Sequence, residues 1–306
     1  MEKHITPAKR IDLKISFGCN NMCRFCVQGE KRRIFSAKNV KTIRRELEAG
    51  YASGGRGLVL TGGEPALHAD LFTIIKTARK TGYRSIQLQS NGRMFRYADF
   101  CRALAAAGIT EASPALHGSS AKIHDFLTGA PGSFRETAAG LANLKKAGIK
   151  ILTNTVITKP NTQDLPAIAR LLAALGADQA QFAFVHILGS AARNANWLVP
   201  KMAVIEPFVK QALSAGLSKG LRVMTEAIPY CFMSGYENCI AEEIIPHTRI
   251  FDAEGVIADF GAYRKTRGKA KAAKCRKCFF YGKCEGPWKK YPELFGWDEF
   301  VPRKRP

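Results

Sequence analysis

Apolar residues recur along the first two-thirds of the chain in two alternating patterns. Short runs rich in Val, Ile and Leu predict strands, and longer runs with apolar residues three or four positions apart predict helices with one buried face. The predicted strands cover residues 11–17, 57–61, 85–89, 111–116, 150–157 and 181–186. The predicted helices cover residues 36–51, 69–81, 97–107, 134–147, 165–175 and 204–219.

Six strand–helix units in succession predict an α/β fold with a parallel sheet and right-handed crossovers. Six units suit an open, partial (β/α)6 barrel better than the closed barrel of eight units. We expect this core to span residues 1–228. The helical periodicity stops after about Pro229, and five of the nine cysteines follow, so residues 229–306 are predicted to form a small Cys-rich extension.

Composition limits the class of protein. The chain has 306 residues, of which 46% are apolar, so a large core is feasible. No apolar run approaches the roughly 20 residues of a membrane span. The start, MEKHITPAKR, lacks the apolar segment of a signal peptide, and we expect a cytoplasmic protein. In that compartment, cysteines are more often metal ligands than disulfide partners.

Three cysteines, Cys19, Cys23 and Cys26, follow the first predicted strand in the string GCNNMCRFC. A full protein set for a [4Fe-4S] cluster is four cysteines, so three on one loop leave one iron open to an outside ligand. An open coordination position is where a metal site does chemistry. A structural zinc site is the alternative, but zinc prefers four ligands and His4 is the only histidine nearby.

A second motif, Gly62-Gly63-Glu64-Pro65, follows the strand predicted at residues 57–61. The glycines allow close approach of backbone to a ligand, and Glu64 supplies an acceptor for a cationic amine. Pro65 stiffens the exit from the turn. Together with CxxxCxxC and its aromatic Phe25, this motif resembles the radical S-adenosylmethionine (radical SAM) superfamily.

The resemblance implies a partial barrel with its site at the carboxyl ends of the strands. It implies a [4Fe-4S] cluster on Cys19, Cys23 and Cys26, whose open iron binds the amino and carboxylate groups of S-adenosylmethionine. One electron then splits the sulfonium to give methionine and a 5'-deoxyadenosyl radical. The motif at residues 62–65 is implied to hold the methionyl amino group.

Further candidates follow other predicted strands. The resemblance suggests that Ser90 and Asn91 contact the cofactor, although an ordinary Asn-Gly turn explains the same residues. Asn154 is a cofactor candidate if it points into the barrel. His117 lies at the same edge and is a catalytic candidate, although a lone histidine is more often a structural hydrogen-bonding group.

The extension carries the string CRKCFFYGKC, which contains Cys275, Cys278 and Cys284. It resembles the SPASM or shorter twitch extension, which holds auxiliary [4Fe-4S] clusters. The full SPASM pattern needs seven or eight cysteines and this tail has five, so we expect one auxiliary cluster. Cys231, at a rigid exit after Pro229, is the predicted fourth ligand, and Cys239 is the alternative.

The second site has a zinc alternative too, since four-cysteine sites built from CxxC pairs are ordinary structural zinc. With four thiolates, a cluster here would be coordinatively closed and would relay electrons or brace the tail. Cys101, in a helical run, is predicted to be a small buried hydrophobe.

The formal net charge is +22, and residues 264–277 contain eight Lys or Arg and no acid. Such an excess raises affinity for polyanions without identifying one. RNA, an acidic peptide and a phosphorylated small molecule all fit. RNA is not favoured, because aromatic residues are not interleaved with the basic run as base stacking requires.

These features predict a radical SAM enzyme that abstracts hydrogen from a peptide or protein side chain and takes electrons from a donor such as flavodoxin or ferredoxin. The first strand is predicted near residue 11, so we expect no separate leader-binding domain before the barrel. Small molecules, including sugars and nucleotides, and RNA are alternative substrates. A zinc-stabilised RNA-binding protein is the alternative from another class.

Overall fold

In residues 9–305, an open sheet of nine strands organises the fold. The computed structural model describes residues 9–305, so His4 lies outside it. The strand order is β7-β6-β5-β4-β3-β2-β1-β8-β9, and all neighbours pair in parallel except β8 with β9. The strands are β1 (Arg10–Ser16), β2 (Gly57–Gly62), β3 (Ser85–Ser90), β4 (Glu111–Pro114), β5 (Lys150–Ile157), β6 (Gln179–Phe184), β7 (Arg222–Glu226), β8 (Thr248–Asp252) and β9 (Gly255–Ile257).

The six predicted strands lie side by side as β1–β6, which confirms the predicted α/β class and parallel sheet. Two further parallel strands were not predicted. In β7 two adjacent apolar residues, Val223 and Met224, stand between polar ones, so its sequence shows neither a longer apolar run nor an alternation. β8 comes from the Cys-rich extension and pairs with β1, so part of residues 229–306 completes the barrel sheet. The boundary near residue 229 stays a prediction.

Helices cross over between the strands. The helix predicted at residues 134–147 is a helix at Ser133–Lys146 in the structure. A further helix that was not predicted, Ala121–Thr128, precedes it and ends at Gly129, which has the left-handed conformation. The helices are α1 (Lys31–Ile34), α2 (Val40–Ala52), α3 (Leu71–Thr81), α4 (Ala98–Ala107), α5 (Ala121–Thr128), α6 (Ser133–Lys146), α7 (Leu165–Ala174), α8 (Ser190–Arg193), α9 (Ala195–Leu198), α10 (Met202–Leu217), α11 (Phe260–Tyr263) and α12 (Lys290–Phe295). Within residues 9–305, no helix has the length and apolar character to cross a membrane.

Alternation along each strand separates the core from the barrel interior. On β1, Ile11, Leu13 and Ile15 are fully buried in the hydrophobic core. The intervening Asp12 and Lys14 line cavities inside the barrel. The larger of these cavities has a volume of about 450 Å³ and is lined mostly by polar side chains. The barrel interior therefore suits a polar ligand.

The extension is anchored to the barrel by aromatic side chains. Trp288 Nε1 donates to the carbonyl oxygen of Phe184 at the end of β6, at 3.3 Å, and its ring stacks on His186 with centroids 3.8 Å apart. Tyr291 is fully buried, and its hydroxyl accepts a hydrogen bond from Met202 N at 2.7 Å. These contacts hold the Cys-rich segment against the carboxyl end of β6 and the start of α10.

Buried charges also stabilise the extension. Arg264 Nε and Nη2 donate to the two carboxylate oxygens of Glu285 at 2.6 and 2.7 Å, and both side chains are 3% exposed. A buried charge that loses its partner is costly, whereas an exposed pair contributes little.

We predict that Glu285→Ala lowers the free energy of unfolding by about 3–5 kcal/mol, because it leaves the Arg264 guanidinium buried and unpaired. Urea unfolding followed by circular dichroism measures the change. The matched control is Glu293→Ala, which removes a carboxylate half-exposed beside Lys290 and is expected to cost about 1 kcal/mol or less. Equal losses in the two variants would contradict the prediction.

Candidate active site

The loop with Cys19, Cys23 and Cys26 leaves the carboxyl end of β1 and lies at the mouth of the barrel. Backbone hydrogen bonds tie it to two other segments. Met22 N donates to the carbonyl oxygen of Thr128 at 2.8 Å, and Ser190 N donates to that of Cys26 at 2.9 Å. The cysteine loop is therefore held between the end of α5 and the segment after β6.

The three thiols are half-buried and close enough to affect one another. Burial raises the pKa of the Cys23 thiol, and the neighbouring Cys26 and Cys19 raise it further. Burial also raises the pKa of Cys19. Metal ligands must be thiolates, so these buried thiols are expected to lose protons only when a metal compensates for the burial.

A cavity of about 340 Å³ adjoins these cysteines. It is open to the barrel mouth and shares Asp12, Gln89 and Asn154 with the larger interior cavity, so the two are adjacent. Its lining contains most of the predicted site residues: Cys19, Cys23, Phe25, Cys26, Gly62, Gly63, Ser90, Asn91, His117 and Asn154.

Gly62 and Gly63 pack against the backbone at the end of β1, which leaves no room for a side chain at either position. Gly62 has φ +127°, and a Cβ there would lie 2.0 Å from the carbonyl oxygen of Ser16. A Cβ at Gly63 would lie 2.3 Å from the carbonyl oxygen of Gly18. Gly63 N donates to the carbonyl oxygen of Ser16 at 2.7 Å. We predicted that these glycines let a ligand approach the backbone closely. In the structure they also let the start of the cysteine loop pack against this turn.

Glu64 is not among the residues that line this cavity, and its predicted contact with a cofactor amine stays a prediction. Its side chain is fully buried and accepts hydrogen bonds from Ser90 Oγ at 2.8 Å, Asn91 N at 2.6 Å and Ala66 N at 2.9 Å. Burial raises the pKa of this carboxyl, and the three donors oppose that shift. Glu64 therefore positions the Ser90–Asn91 turn. Pro65 is buried too and begins the short helix Pro65–Leu67.

Asn91 links the turn after β3 to the cysteine loop. Its Nδ2 donates to Asn20 Oδ1 at 2.6 Å and lies 3.8 Å from Cys19 Sγ. Ser90 is 5% exposed, and its Oγ also accepts a hydrogen bond from Gly92 N at 3.0 Å. The turn thus has a structural role, as the alternative interpretation predicted, and it also borders the cavity.

Phe25 and His117 pack together under the cysteines, with ring centroids 4.6 Å apart. Val156 N donates to His117 Nδ1 at 3.1 Å, so the proton of the neutral ring is on Nε2. Burial, aided by His124, holds the pKa of His117 well below its ordinary value. A neutral, backbone-bonded histidine of this kind orients its neighbours, and this arrangement does not favour the catalytic role that we considered.

Asn154 lines the cavity and carries an unused acceptor. Its Oδ1 is buried and accepts no hydrogen bond from any group of residues 9–305. A buried polar atom without a partner costs free energy, which a ligand with a hydrogen-bond donor would recover. The three thiols, the adjacent cavity and this acceptor fit a cluster with a polar organic ligand.

Arg32 is a site residue that sequence reasoning missed. Its Nη1 donates to the carbonyl oxygen of Asn21 at 2.9 Å, and its Nη2 lies 3.9 Å from Cys26 Sγ. A guanidinium here partly offsets the negative charge of thiolates. No motif marks Arg32, and the only signal in the sequence was a basic residue soon after the last cysteine of the loop.

The second set of cysteines surrounds a small cavity of about 30 Å³. The cavity is lined by Cys231, Cys275, Cys278 and Cys284. Burial raises the pKa of Cys231 to about 12, and Cys284, Cys278 and Cys275 contribute. Cys239 is not part of this lining: it is 3% exposed, and its Sγ faces Asn238 Oδ1 at 3.6 Å. Of the two predicted alternatives, Cys231 is thus the one beside the other three.

Among residues 9–305, no three Cys, His, Asp or Glu side chains are close enough together to ligate one metal ion. The requirement is different for a [4Fe-4S] cluster. Each cysteine ligates a different iron atom of the cluster, so the thiols need not meet at one point.

Comparison with known proteins agrees with this geometry. The model of the Radical SAM superfamily matches residues 13–172, just over half of the chain. An AdoMet-dependent heme synthase of Methanosarcina barkeri is 30% identical over 175 residues, which cover 56% of this chain and 50% of that protein. A PqqA peptide cyclase of Ruegeria pomeroyi is 29% identical over 199 residues, with 63% and 51% covered. A probable GTP 3',8-cyclase of Metallosphaera sedula is 28% identical over 191 residues, with 62% and 59% covered.

The matched segment thus spans about half the length of these curated relatives. Among solved structures, Streptococcus suis SuiB bound to S-adenosylmethionine superimposes with a TM-score of 0.68, over 94% of this chain and 74% of that one. The two are 15% identical, so this likeness concerns the fold. The family match over residues 13–172, on a barrel with three thiols at its mouth, establishes that the chain belongs to the radical SAM superfamily of enzymes, which use a [4Fe-4S] cluster and S-adenosylmethionine.

Proposed function

We propose that this protein holds a [4Fe-4S] cluster on Cys19, Cys23 and Cys26 and binds S-adenosylmethionine in the adjoining cavity. The observation that carries the proposal is the grouping of three thiols beside a cavity of about 340 Å³ at the carboxyl ends of the strands. When bound, the cluster and its cofactor supply a 5'-deoxyadenosyl radical, which abstracts a hydrogen atom from the substrate.

The residues around the cavity have distinct roles in this proposal. Asn154 Oδ1 accepts a hydrogen bond from the bound cofactor, because it has no partner within residues 9–305. Gly62 and Gly63 border the cavity with backbone alone, and Asn91 borders it beside Cys19. Phe25 and His117 close the floor and limit the entry of water. Glu64 acts only through the turn that it positions.

The second site is proposed to hold an auxiliary [4Fe-4S] cluster on Cys231, Cys275, Cys278 and Cys284. Four thiolates would close its coordination, so it would relay electrons or brace the extension. Support comes from the shared cavity of these four residues. Zinc is the alternative occupant, since four cysteines also suit zinc, but a single ion would require the thiols to move closer together than they lie here.

The substrate is proposed to be a peptide or protein side chain. The structure of SuiB in complex with its precursor peptide superimposes on 87% of this chain with a TM-score of 0.64. The PqqA peptide cyclase is a relative in sequence. The relatives named for heme synthesis and GTP cyclisation make small molecules the second candidate. The proposed electron donor is a flavodoxin or ferredoxin, and the proposed location is the cytoplasm.

We predict that Cys19→Ala, Cys23→Ala and Cys26→Ala each abolish the formation of 5'-deoxyadenosine, because each removes one of only three cluster ligands. The assay incubates anaerobically purified protein with S-adenosylmethionine and dithionite and quantifies the product by chromatography. Cys101→Ala is the control and keeps its activity, because Cys101 is fully buried in α4. Cofactor cleavage that survives the loop variants would disprove the mechanism.

We predict about eight iron and eight sulfide per chain, as two cubanes require. Cys231→Ala is expected to lower both to about four, and Cys239→Ala is expected to leave them unchanged, since Cys239 lies outside the second cavity. Metal analysis of the anaerobically purified proteins measures both. Bound zinc in place of the second iron set would refute the auxiliary cluster, and the reverse pattern in the variants would assign Cys239.

Glu64→Ala is predicted to lower both the stability of the protein and its affinity for S-adenosylmethionine. The change leaves three buried donors unpaired, each at a cost of about 1–3 kcal/mol, and frees the Ser90–Asn91 turn. Urea unfolding and calorimetry measure the two effects. Glu48→Ala, on the exposed face of α2, is the control. Weaker binding at unchanged stability would instead favour direct contact between Glu64 and the cofactor.

A further inference from the structure

The proposed function does not use the basic surface of the extension. Residues 264–305 contain fourteen Lys or Arg and four Asp or Glu, so they carry ten of the net +22 charges. Two of the basic side chains are buried in ion pairs, Arg264 with Glu285 and Lys269 with Glu242. Most of the others are exposed. The burial of Glu285 removes one of the few acids from the surface.

Exposed residues from three segments of the extension are here named together the basic tail surface. It comprises Lys271, Arg276, Lys277, Phe279, Tyr281, Lys283, Lys304 and Arg305. Lys283 lies 3.4 Å from Glu243. Arg276, Lys277 and Lys304 form no ion pair with any carboxylate of residues 9–305. Their charges are therefore available to a partner.

The fold brings exposed aromatic rings into this region. Phe279 is 52% exposed and Tyr281 is 40% exposed. Lys271 Nζ lies 4.3 Å from the centroid of the Tyr281 ring and donates to the Tyr281 carbonyl oxygen at 2.6 Å. Phe279 N donates to the carbonyl oxygen of Arg303 at 2.8 Å, so the backbone of the segment with Lys304 and Arg305 runs beside that of Phe279.

The arrangement of rings and cations in space meets the requirement for base stacking, which the basic run by itself does not meet. Along the sequence, the basic run at residues 264–277 contains no aromatic residue. In space, two exposed rings lie among cations from three segments of the extension. Cations that follow a phosphate backbone, combined with rings on which bases stack, are how proteins bind single strands.

We propose that the basic tail surface binds single-stranded nucleic acid. Phosphates contact Arg276, Lys277 and Lys304, and unpaired bases stack on Phe279 and Tyr281. An acidic peptide would use the cations but not the stacking faces of the rings, so the rings distinguish these partners. The proposal needs neither the loop of Cys19, Cys23 and Cys26 nor its cavity. Arg276, Lys277 and Phe279 flank ligands of the proposed auxiliary cluster, so the iron content of each variant is measured beside its affinity for nucleic acid.

The test measures the fluorescence anisotropy of a labelled, mixed-sequence RNA of about 20 nucleotides, and of a DNA of equal sequence, over a series of KCl concentrations. The variant Arg276→Glu/Lys277→Glu/Lys304→Glu is expected to bind at least tenfold more weakly. Its slope of log affinity against log salt is expected to be shallower by about two, since three phosphate contacts are lost. The RNA and DNA arms show which nucleic acid binds more tightly.

The matched control is Lys41→Glu/Arg44→Glu/Arg45→Glu, which makes the same change of charge on the exposed face of α2. It is expected to change affinity by less than threefold. An equal loss in the control would mean that the total charge acts without a defined site, and would overturn the proposal.

The double variant Phe279→Ala/Tyr281→Ala tests stacking. It is expected to weaken binding at least fivefold with an unchanged salt slope, since the rings contribute without counterion release. Unchanged affinity, together with equal competition by poly-glutamate, would assign the surface to an acidic polypeptide instead. A circular dichroism spectrum and a urea unfolding midpoint equal to those of the wild-type protein show that a variant is folded.

Ultraviolet crosslinking of the wild-type protein to the RNA, followed by mass spectrometry, needs no variant. Crosslinks are expected at Phe279 and Tyr281. Crosslinks confined to other parts of the chain would overturn the proposal, even if every variant failed to fold.

Discussion

The close contact between the end of β1 and the turn after β2 is the constraint on which the candidate site depends. Gly63 N donates to the carbonyl oxygen of Ser16 at 2.7 Å, and Glu64 N donates to that of Gly18 at 2.8 Å. A side chain at Gly62 or Gly63 would collide with this backbone. These two hydrogen bonds therefore set the direction in which the cysteine loop leaves the barrel. They can form because positions 62 and 63 carry no side chain.

The buried carboxylate of Glu64 extends this constraint to β3. Its three hydrogen bonds join the turns after β2 and β3, and Asn91 then reaches Asn20 and Cys19. A buried carboxylate is tolerated here because every donor is well placed. The cavity beside the thiols thus has a preorganised wall, and S-adenosylmethionine would bind without first ordering it.

Besides carrying five cysteines, the extension forms part of the barrel sheet. β8 adds a parallel strand beside β1, while Trp288 and Tyr291 anchor the tail near the end of β6 and on Met202. The four cysteines of the second site are consequently held against the same end of the barrel as the first three. The same folding leaves the unpaired cations and the rings of the basic tail surface on the outside.

The sequence by itself determined the fold class, six of the strands and the superfamily, because these depend on periodicity and on residues close together along the chain. Short-range motifs likewise indicated the first three thiols. The tertiary structure decided the features that depend on residues far apart along the chain. It included β7 and β8 in the sheet and grouped Cys231, not Cys239, with the other cysteines. It also buried the side chain of Glu64 between two turns. It also placed Phe279 and Tyr281 near cations that lie apart in sequence.

These features depend on packing and hydrogen bonding between segments that are distant along the chain. The pattern of residues along the chain does not specify how far apart such segments lie in the fold.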